Sequence, residues 1–309
     1  MNDMTWALLV HLANRRWIDD TGHPVPTQYL DDTRTLLLDR PVWDALLPVY
    51  AENGVNTLVI DLGRAVRYDS HPEIALDDAW STDELRTELA KIRSLGLTPI
   101  PKLNFSACHD EWLAEYARMK STETYYRVCA DLIAEVSDLF DTPPLFHLGM
   151  DEETWNHQQH YSYAVIRQHE LWWHDLLFLA DCVEKAGSRG WIWSDAIWHH
   201  EQEFISRMPK SVMQSNWYYG GDFKPENDHV RAYHVLEDAG FDQIPTGSNW
   251  ASVVNFGMTV DYCRENMAPE RLKGFLQTVW RPAVDRRKED CISGAREVGF
   301  GRRAFEKGR

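Results

Sequence analysis

PVWDALLPVYAENGVNTLVIDLG, residues 41–63, changes its hydrophobic period once, at Gly54. Over roughly 40–53 apolar residues recur at helical spacing, with a proline near the start and a glycine past the end, the asymmetry expected of an α-helix. Over 55–63 they form a short run rich in β-branched residues, which reads as a strand buried on both faces. A helix handing over to such a strand through one glycine is half of a repeating βα unit. Working outward, the same strand signal occurs at TWALLVHLA (5–13), LTPIPKLNFS (97–106), PLFHLGMDE (144–152), RGWIWSDA (189–196), SVMQSNWYY (211–219), IPTGSNW (244–250) and GFLQTVW (274–280), eight in all with 55–63. Helical patterns lie between them at about 82–96, 121–140, 167–187 and 226–240, and Gly96, Gly187 and Gly240 repeat the position of Gly54.

Eight strands alternating with helices predict a parallel sheet closed into an α/β (β/α)8 TIM barrel, one domain over residues 1–309. No Gly-x-Gly-x-x-Gly follows the first strand, which argues against an open doubly wound sheet. The tail from Arg286 to Arg309 carries eight Arg or Lys and is expected to pack as a terminal helix or to fray.

The net charge of −16 would repel phosphate backbones and anionic lipid, so neither nucleic acid nor membrane is an expected partner, whereas a small neutral or cationic ligand suits this field. The five cysteines are scattered without a Cys-x-x-Cys pair and read as reduced structural thiols. The N-terminal MNDMTWALLVHLA has no basic leader region, and no run reaches the ~18 apolar residues of a membrane span, so the expected location is cytoplasmic. Association into a homo-oligomer is left open.

In such a barrel the chemistry sits at the C-terminal ends of the strands. Those ends carry His11, Asn14 and Arg15; Asp61 and Arg64; Lys102, Asn104 and His109; His147, Asp151, Glu152 and Glu153; Trp193 and Asp195; Asn216, Trp217 and Tyr218; Asn249 and Trp250; Trp280 and Arg281. Tryptophan near four strand ends, with carboxylates and amides between, describes flat apolar walls and convergent hydrogen-bonding groups, which suits a sugar ring. In HLGMDEE (147–153) three acids end an apolar strand. Adjacent Asp151 and Glu152 point in different directions and shift each other's ionisation, so one can donate a proton while the other stays charged. Glu153 is expected to begin the following helix, where an acid suits the dipole.

This segment resembles the fourth-strand His-x-Gly-Gly-Asp-Glu of the hexosaminidase-type glycoside hydrolases of family 20, matching at His147, Gly149, Asp151 and Glu152, with Met150 in place of the second glycine. The third strand is similar to the family's Pro-Glu-Ile-Asp-x-Pro-Gly-His at Pro101 and His109, with Lys102 and Asn104 where the family has acids. Trp193, Asp195, Trp217, Tyr218 and Trp280 resemble the family's aromatic pocket, Arg281 follows Trp280 where an acid is expected, and Arg15 lies one residue from the family's hydroxyl-binding arginine. The resemblance implies a β-N-acetylhexosaminidase-like enzyme without a cofactor, with Asp151 orienting the substrate's 2-acetamido group and Glu152 as general acid/base. The strand-end reading and the resemblance together place Arg15, Asp61, Asn104, His109, His147, Trp193, Asp195, Trp217, Tyr218, Asn249, Trp250 and Trp280 around the sugar.

Strand seven offers Asn249 and no acid, which weakens a retaining mechanism with a second carboxylate, although Asp61 and Asp195 remain partners for Glu152. Substrate assistance, in which the acetamido oxygen attacks, needs no such partner. A metal-dependent hydrolase using some of the 13 histidines is one alternative, but no His-x-His or His-Glu-x-x-His spacing supports it and no metal is expected. A non-catalytic carbohydrate-binding barrel is the other.

Overall fold

Each of the eight strand signals becomes a parallel strand of one barrel. The computed structural model describes residues 4–13, 35–158 and 164–308. The strands are β1 (Thr5–His11), β2 (Thr57–Asp61), β3 (Thr98–Lys102), β4 (Leu145–His147), β5 (Arg189–Trp193), β6 (Met213–Ser215), β7 (Thr246–Ser248) and β8 (Gly274–Thr278). They pair in the order β6-β5-β4-β3-β2-β1-β8-β7. The ring closes where Gln214 bridges Gln243 and Trp217 bridges Thr246 in parallel register, joining β6 to β7.

Strand side chains alternate between two cores because a strand repeats every second residue. Ala7, Leu9, Val59, Ile100, Trp191, Trp193, Met213, Ile244 and Leu276 fill the barrel. Their neighbours Trp6, Leu8, Val10, Leu58, Ile60, Phe146, Ile192 and Phe275 face outward into the larger core beneath the helices. Burial on both faces is why the strands read as nearly continuous apolar runs.

The outer layer comprises α1 (Arg40–Glu52), α2 (Thr82–Ser94), α3 (Glu123–Leu139), α4 (His169–Lys185), α5 (Ile197–Arg207), α6 (Asp228–Asp238), α7 (Asn255–Asn266) and α8 (Lys288–Lys307). Five of these match the sequence patterns, and the glycines that follow four of them, Gly54, Gly96, Gly187 and Gly240, take φ of +82°, +78°, +86° and +79°. A capping box starts α2: Ser81 Oγ accepts from Glu84 N while Glu84 Oε2 accepts from Ser81 N. Three helices lack a clear sequence signal. In α5 the register breaks at His200, and only Ile197 and Phe204 are buried. In α7 the buried face mixes Asn255 and Thr259 with Phe256, Val260 and Cys263. The basic tail is α8, whose buried face uses Gly294, Gly299 and Gly301; a Cβ on Gly299 would lie 2.7 Å from the Asn53 carbonyl oxygen. Glycines poor for helix propensity therefore permit its close packing. No helix among the described residues is long and apolar enough to cross a membrane.

Candidate active site

The chain leaves β4 at His147 and runs through Gly149 (φ +72°), Met150 (+76°) and Glu152 (+57°). Left-handed backbone at a non-glycine residue costs about 1–2 kcal/mol, so this turn is held from outside. Asn104 holds one side: its Oδ1 accepts from Met150 N (3.3 Å) and Ser106 N (3.1 Å), while its Nδ2 donates to Asp151 Oδ1 at 2.9 Å. Gly149 is required because a Cβ there would fall 1.9 Å from Asn104 Oδ1. On the other side Asp195 Oδ2 accepts from Glu152 N at 2.8 Å.

Glu153 does not begin the next helix. Its carboxylate accepts from Arg167 Nε (2.8 Å) and Nη2 (2.7 Å) and from Ala107 N (3.0 Å). Fully buried Arg167 also donates to Asp175 Oδ2 (2.9 Å) and the Phe105 carbonyl (2.7 Å). Glu153 thus ties the loop to α4 and to the segment after β3, away from chemistry.

Asp151 and Glu152 share one histidine. His109 Nε2 lies 3.4 Å from Asp151 Oδ2 and 3.2 Å from Glu152 Oε2, and His157 Nε2 lies 3.3 Å from Glu152 Oε1. Burial alone would lower the His109 pKa, but Asp151, with Glu152 beside it, raises it to about 10. Against their own burial, the His109 charge holds Asp151 well below the carboxylate range, and hydrogen bonds from His109 and His157 hold Glu152 down to about 2. Burial and then the Asp151 charge push the third carboxyl, Asp195, up to about 7. At neutral pH the cluster thus keeps a proton on His109, 3.2 Å from Glu152, and Asp195 at the edge of ionisation. His109, Asp151 and Glu152 each offer a ligand atom within 4.8 Å of the others, so among the described residues this is the group able to hold a cation.

Beside the carboxylates the aromatic residues converge. Trp193 packs against His147 (4.5 Å between centroids) and Trp280 (6.1 Å), Trp280 stacks on His11 at 5.3 Å, and Trp217 lies 5.1 Å from Tyr219. Trp280 Nε1 donates to Tyr219 Oη at 3.1 Å, and Trp217 Nε1 lies 3.4 Å from Asp195 Oδ1. Tyr219 is half-buried, and its lost hydration raises its pKa further above the usual tyrosine value than its Thr278 and Trp280 hydrogen bonds lower it, with Glu152 and Asp151 adding to the rise.

Several residues read from the sequence occupy other places. Tyr218 faces the outer core against Phe223 (5.1 Å), and its neighbour Tyr219 takes the inward position, where it accepts from Trp280 Nε1. Asn249 Nδ2 donates to the Asp290 carbonyl (2.9 Å), toward α8. Trp250 is 52% exposed on the turn after β7. His147 is fully buried beneath the site, where its Nδ1 accepts from Gly149 N (3.0 Å). Asp61 is engaged by buried Lys102 Nζ at 2.5 Å. Asn14 and Arg15 lie outside the described residues. Conversely His157, in the short helix Trp155–Gln158 and not among the residues singled out from the sequence, sits on Glu152; its signal is its place five residues further along the chain.

No protein-family model matches the chain, and no curated protein sequence does. Its fold does match solved structures. The GH20 β-N-acetylhexosaminidase of Streptomyces coelicolor A3(2) aligns with TM-score 0.65 at 14% identity, over 96% of this chain and 64% of that one. The β-N-acetylhexosaminidase of Bacteroides fragilis aligns at 0.64 and 12%, over 95% and 65%. Dispersin B aligns at 0.58 and 15%, over 85% and 95%. The chain spans less than two thirds of the first two. In its fold the chain is similar to the glycoside hydrolase family 20 β-N-acetylhexosaminidases.

Proposed function

We propose that the chain is a glycosidase acting on a hexosamine-type, N-acetylated glycoside, with Glu152 as general acid/base and Asp151 orienting the acetamido group. The observation that carries this reading is the pair itself: adjacent carboxylates at the mouth of β4, both bound to His109 and bordered by Trp193, Trp217, Tyr219 and Trp280. Ionised Asp151 is suited to a developing positive charge. Glu152 must receive a proton before it can donate one, and His109 holds that proton, so the two act as one titrating unit. Asp61 is engaged by Lys102 and Asp195 by the Glu152 amide, which favours attack by the substrate's own acetamido oxygen over a second carboxylate.

The test is hydrolysis of N-acetyl-β-hexosaminides with good and poor leaving groups. Glu152→Gln should lose about 10²–10⁴-fold with poor leaving groups and less with nitrophenolate, which needs little protonation. Asp151→Asn should harm both. Full activity in both variants would remove the pair from the mechanism. The His109, Asp151 and Glu152 cluster also supports a metal-dependent reading; activity lost to a chelator and restored by a divalent cation would favour it.

A further inference from the structure

A cavity of about 330 Å³ opens between the β4 loop and helices α4 and α5. Its lining includes neither Asp151 nor Glu152, and buried Met150 and Asp195 close it toward them. The volume falls at the low end of the ~300–1,000 Å³ of small-ligand pockets. Trp172, Trp173 and Phe204 form aromatic walls, and Trp155 stands at the mouth, 60% exposed. Trp172 and Trp173 meet edge to face at 4.8 Å between centroids, and Trp173 meets Phe204 in the same way at 6.0 Å. Rings crossed like this present faces in more than one direction, and each face carries the negative pole of the aromatic quadrupole. The protein itself places a cation against one of them: the Arg207 guanidinium lies 5.2 Å from the Trp173 ring centre.

The charges along the lining have the matching sign. Glu153, Asp195 and Glu203 bring carboxyl groups, and among the described lining residues Arg167 is the one guanidinium or ammonium. Arg167 is engaged by Glu153 at 2.7 Å and by Asp175 at 2.9 Å, so its charge is already balanced. Asp195 is buried and Glu203 partly exposed; Arg207 meets Glu203 at 3.4 Å but has a closer partner in Glu170 at 2.5 Å. His169, His199 and His200 stand at the exposed rim, where solvent screens them. The net charge of −16 adds the same sign at longer range. Among the described residues these acids and imidazoles do not converge as metal ligands do; the group that converges is His109, Asp151 and Glu152. A cation suited to the cavity therefore has an apolar surface that aromatic faces can cover, rather than a hydration shell that oxygen ligands must replace.

We propose that this cavity is a second binding site, for a small organic cation of the quaternary ammonium class, with the ammonium group among Trp172, Trp173 and Phe204 and the carboxyl groups of Asp195 and Glu203 balancing its charge. The assignment does not depend on the glycosidase reading. A ligand held there touches Asp195, which accepts the Glu152 amide at 2.8 Å, and so borders the acid cluster without entering it.

The probes are choline and 3,3-dimethylbutan-1-ol, which keeps the shape of choline with carbon in place of the charged nitrogen. Isothermal titration calorimetry gives both Kd values at pH 8, above the value of about 7 to which burial pushes the Asp195 carboxyl. Choline should bind about 3–30-fold tighter than the alcohol. Trp172→Leu keeps an apolar wall but removes the ring face, and should cut that preference about threefold or more. Glu203→Gln should cut it about twofold or more, and this change on a partly exposed side chain decides the matter if Trp172→Leu does not fold. Asp151→Asn, which alters the neighbouring acid cluster and not the cavity lining, should leave the preference as it is. The proposal is overturned if choline does not bind, if the two probes bind equally, or if the preference survives in the folded cavity variants, whether or not Asp151→Asn abolishes it.

Discussion

At Gly149 the local constraint on the site can be stated in atoms. A methyl group there would meet Asn104 Oδ1 at 1.9 Å and Asn104 Cα at 2.8 Å, at a φ of +72° that already costs alanine about 1–2 kcal/mol. Gly149→Ala should therefore displace Asn104, break its 2.9 Å bond to Asp151 and reduce activity more than a variant of equal Tm altered elsewhere. Wild-type activity in Gly149→Ala would show that the Asn104–Asp151 bond does not position the carboxylate. Residues of this kind are legible in sequence when a motif at a strand end limits them, as with Asp151, Glu152 and His109. Tyr219 is not, because β6 ends at Ser215 and which of two adjacent tyrosines points inward depends on where the chain leaves the sheet. Asn249 differs for a related reason: the turn after β7 carries its side chain toward α8.

Among the elements, the link between the β4 loop and α4 decides whether the acids stay in place. Arg167 is fully buried and bridges Glu153 to Asp175, which itself accepts from Tyr126 Oη (2.5 Å) and Ser121 Oγ (2.7 Å). Removing one partner of a buried pair leaves the other charges uncompensated, typically at about 3–5 kcal/mol. Arg167→Ala should lower stability by roughly that amount in denaturant unfolding, and Arg167→Lys should recover only part of it, since an ammonium cannot span both carboxylates as the guanidinium fork does. A loss under about 1 kcal/mol in Arg167→Ala would mean that solvent reaches the pair. This anchor has no sequence signature, since its partners are 14 and 8 residues from Arg167 and the link exists only after the barrel forms. The strands are legible because burial on both faces makes them apolar throughout. The outer helices are legible only where one face is clearly apolar, as in α1 and α3, and not where a kink or a glycine-lined contact replaces that face, as in α5 and α8.

For the molecule as a whole the cluster has a thermodynamic signature. Asp195 titrates near 7 in the folded protein because burial, and then the Asp151 charge, disfavour its ionised form, against an ordinary value of 3.8. Between those two values the native chain keeps a proton that the unfolded chain has released, so this group's contribution to stability is whole below about pH 4 and is lost as pH rises through 7. His109, raised to about 10, contributes in full below its ordinary 6.5 and loses that contribution as pH rises through 10; Glu152, lowered to about 2, loses its contribution only as pH falls through that value. Both remain in an Asp195→Asn protein, where the amide carries no charge at any pH. The substitution should therefore stabilise the fold more at pH 8 than at pH 5, by a difference on the order of 1–3 kcal/mol. Its weakened contact with Trp217 Nε1 is present at both pH values and drops out of that comparison. Thermal or denaturant unfolding of both proteins at the two pH values measures it. Parallel stability curves would show that Asp195 is ionised throughout, and that the cluster's neutral-pH proton lies on His109 alone.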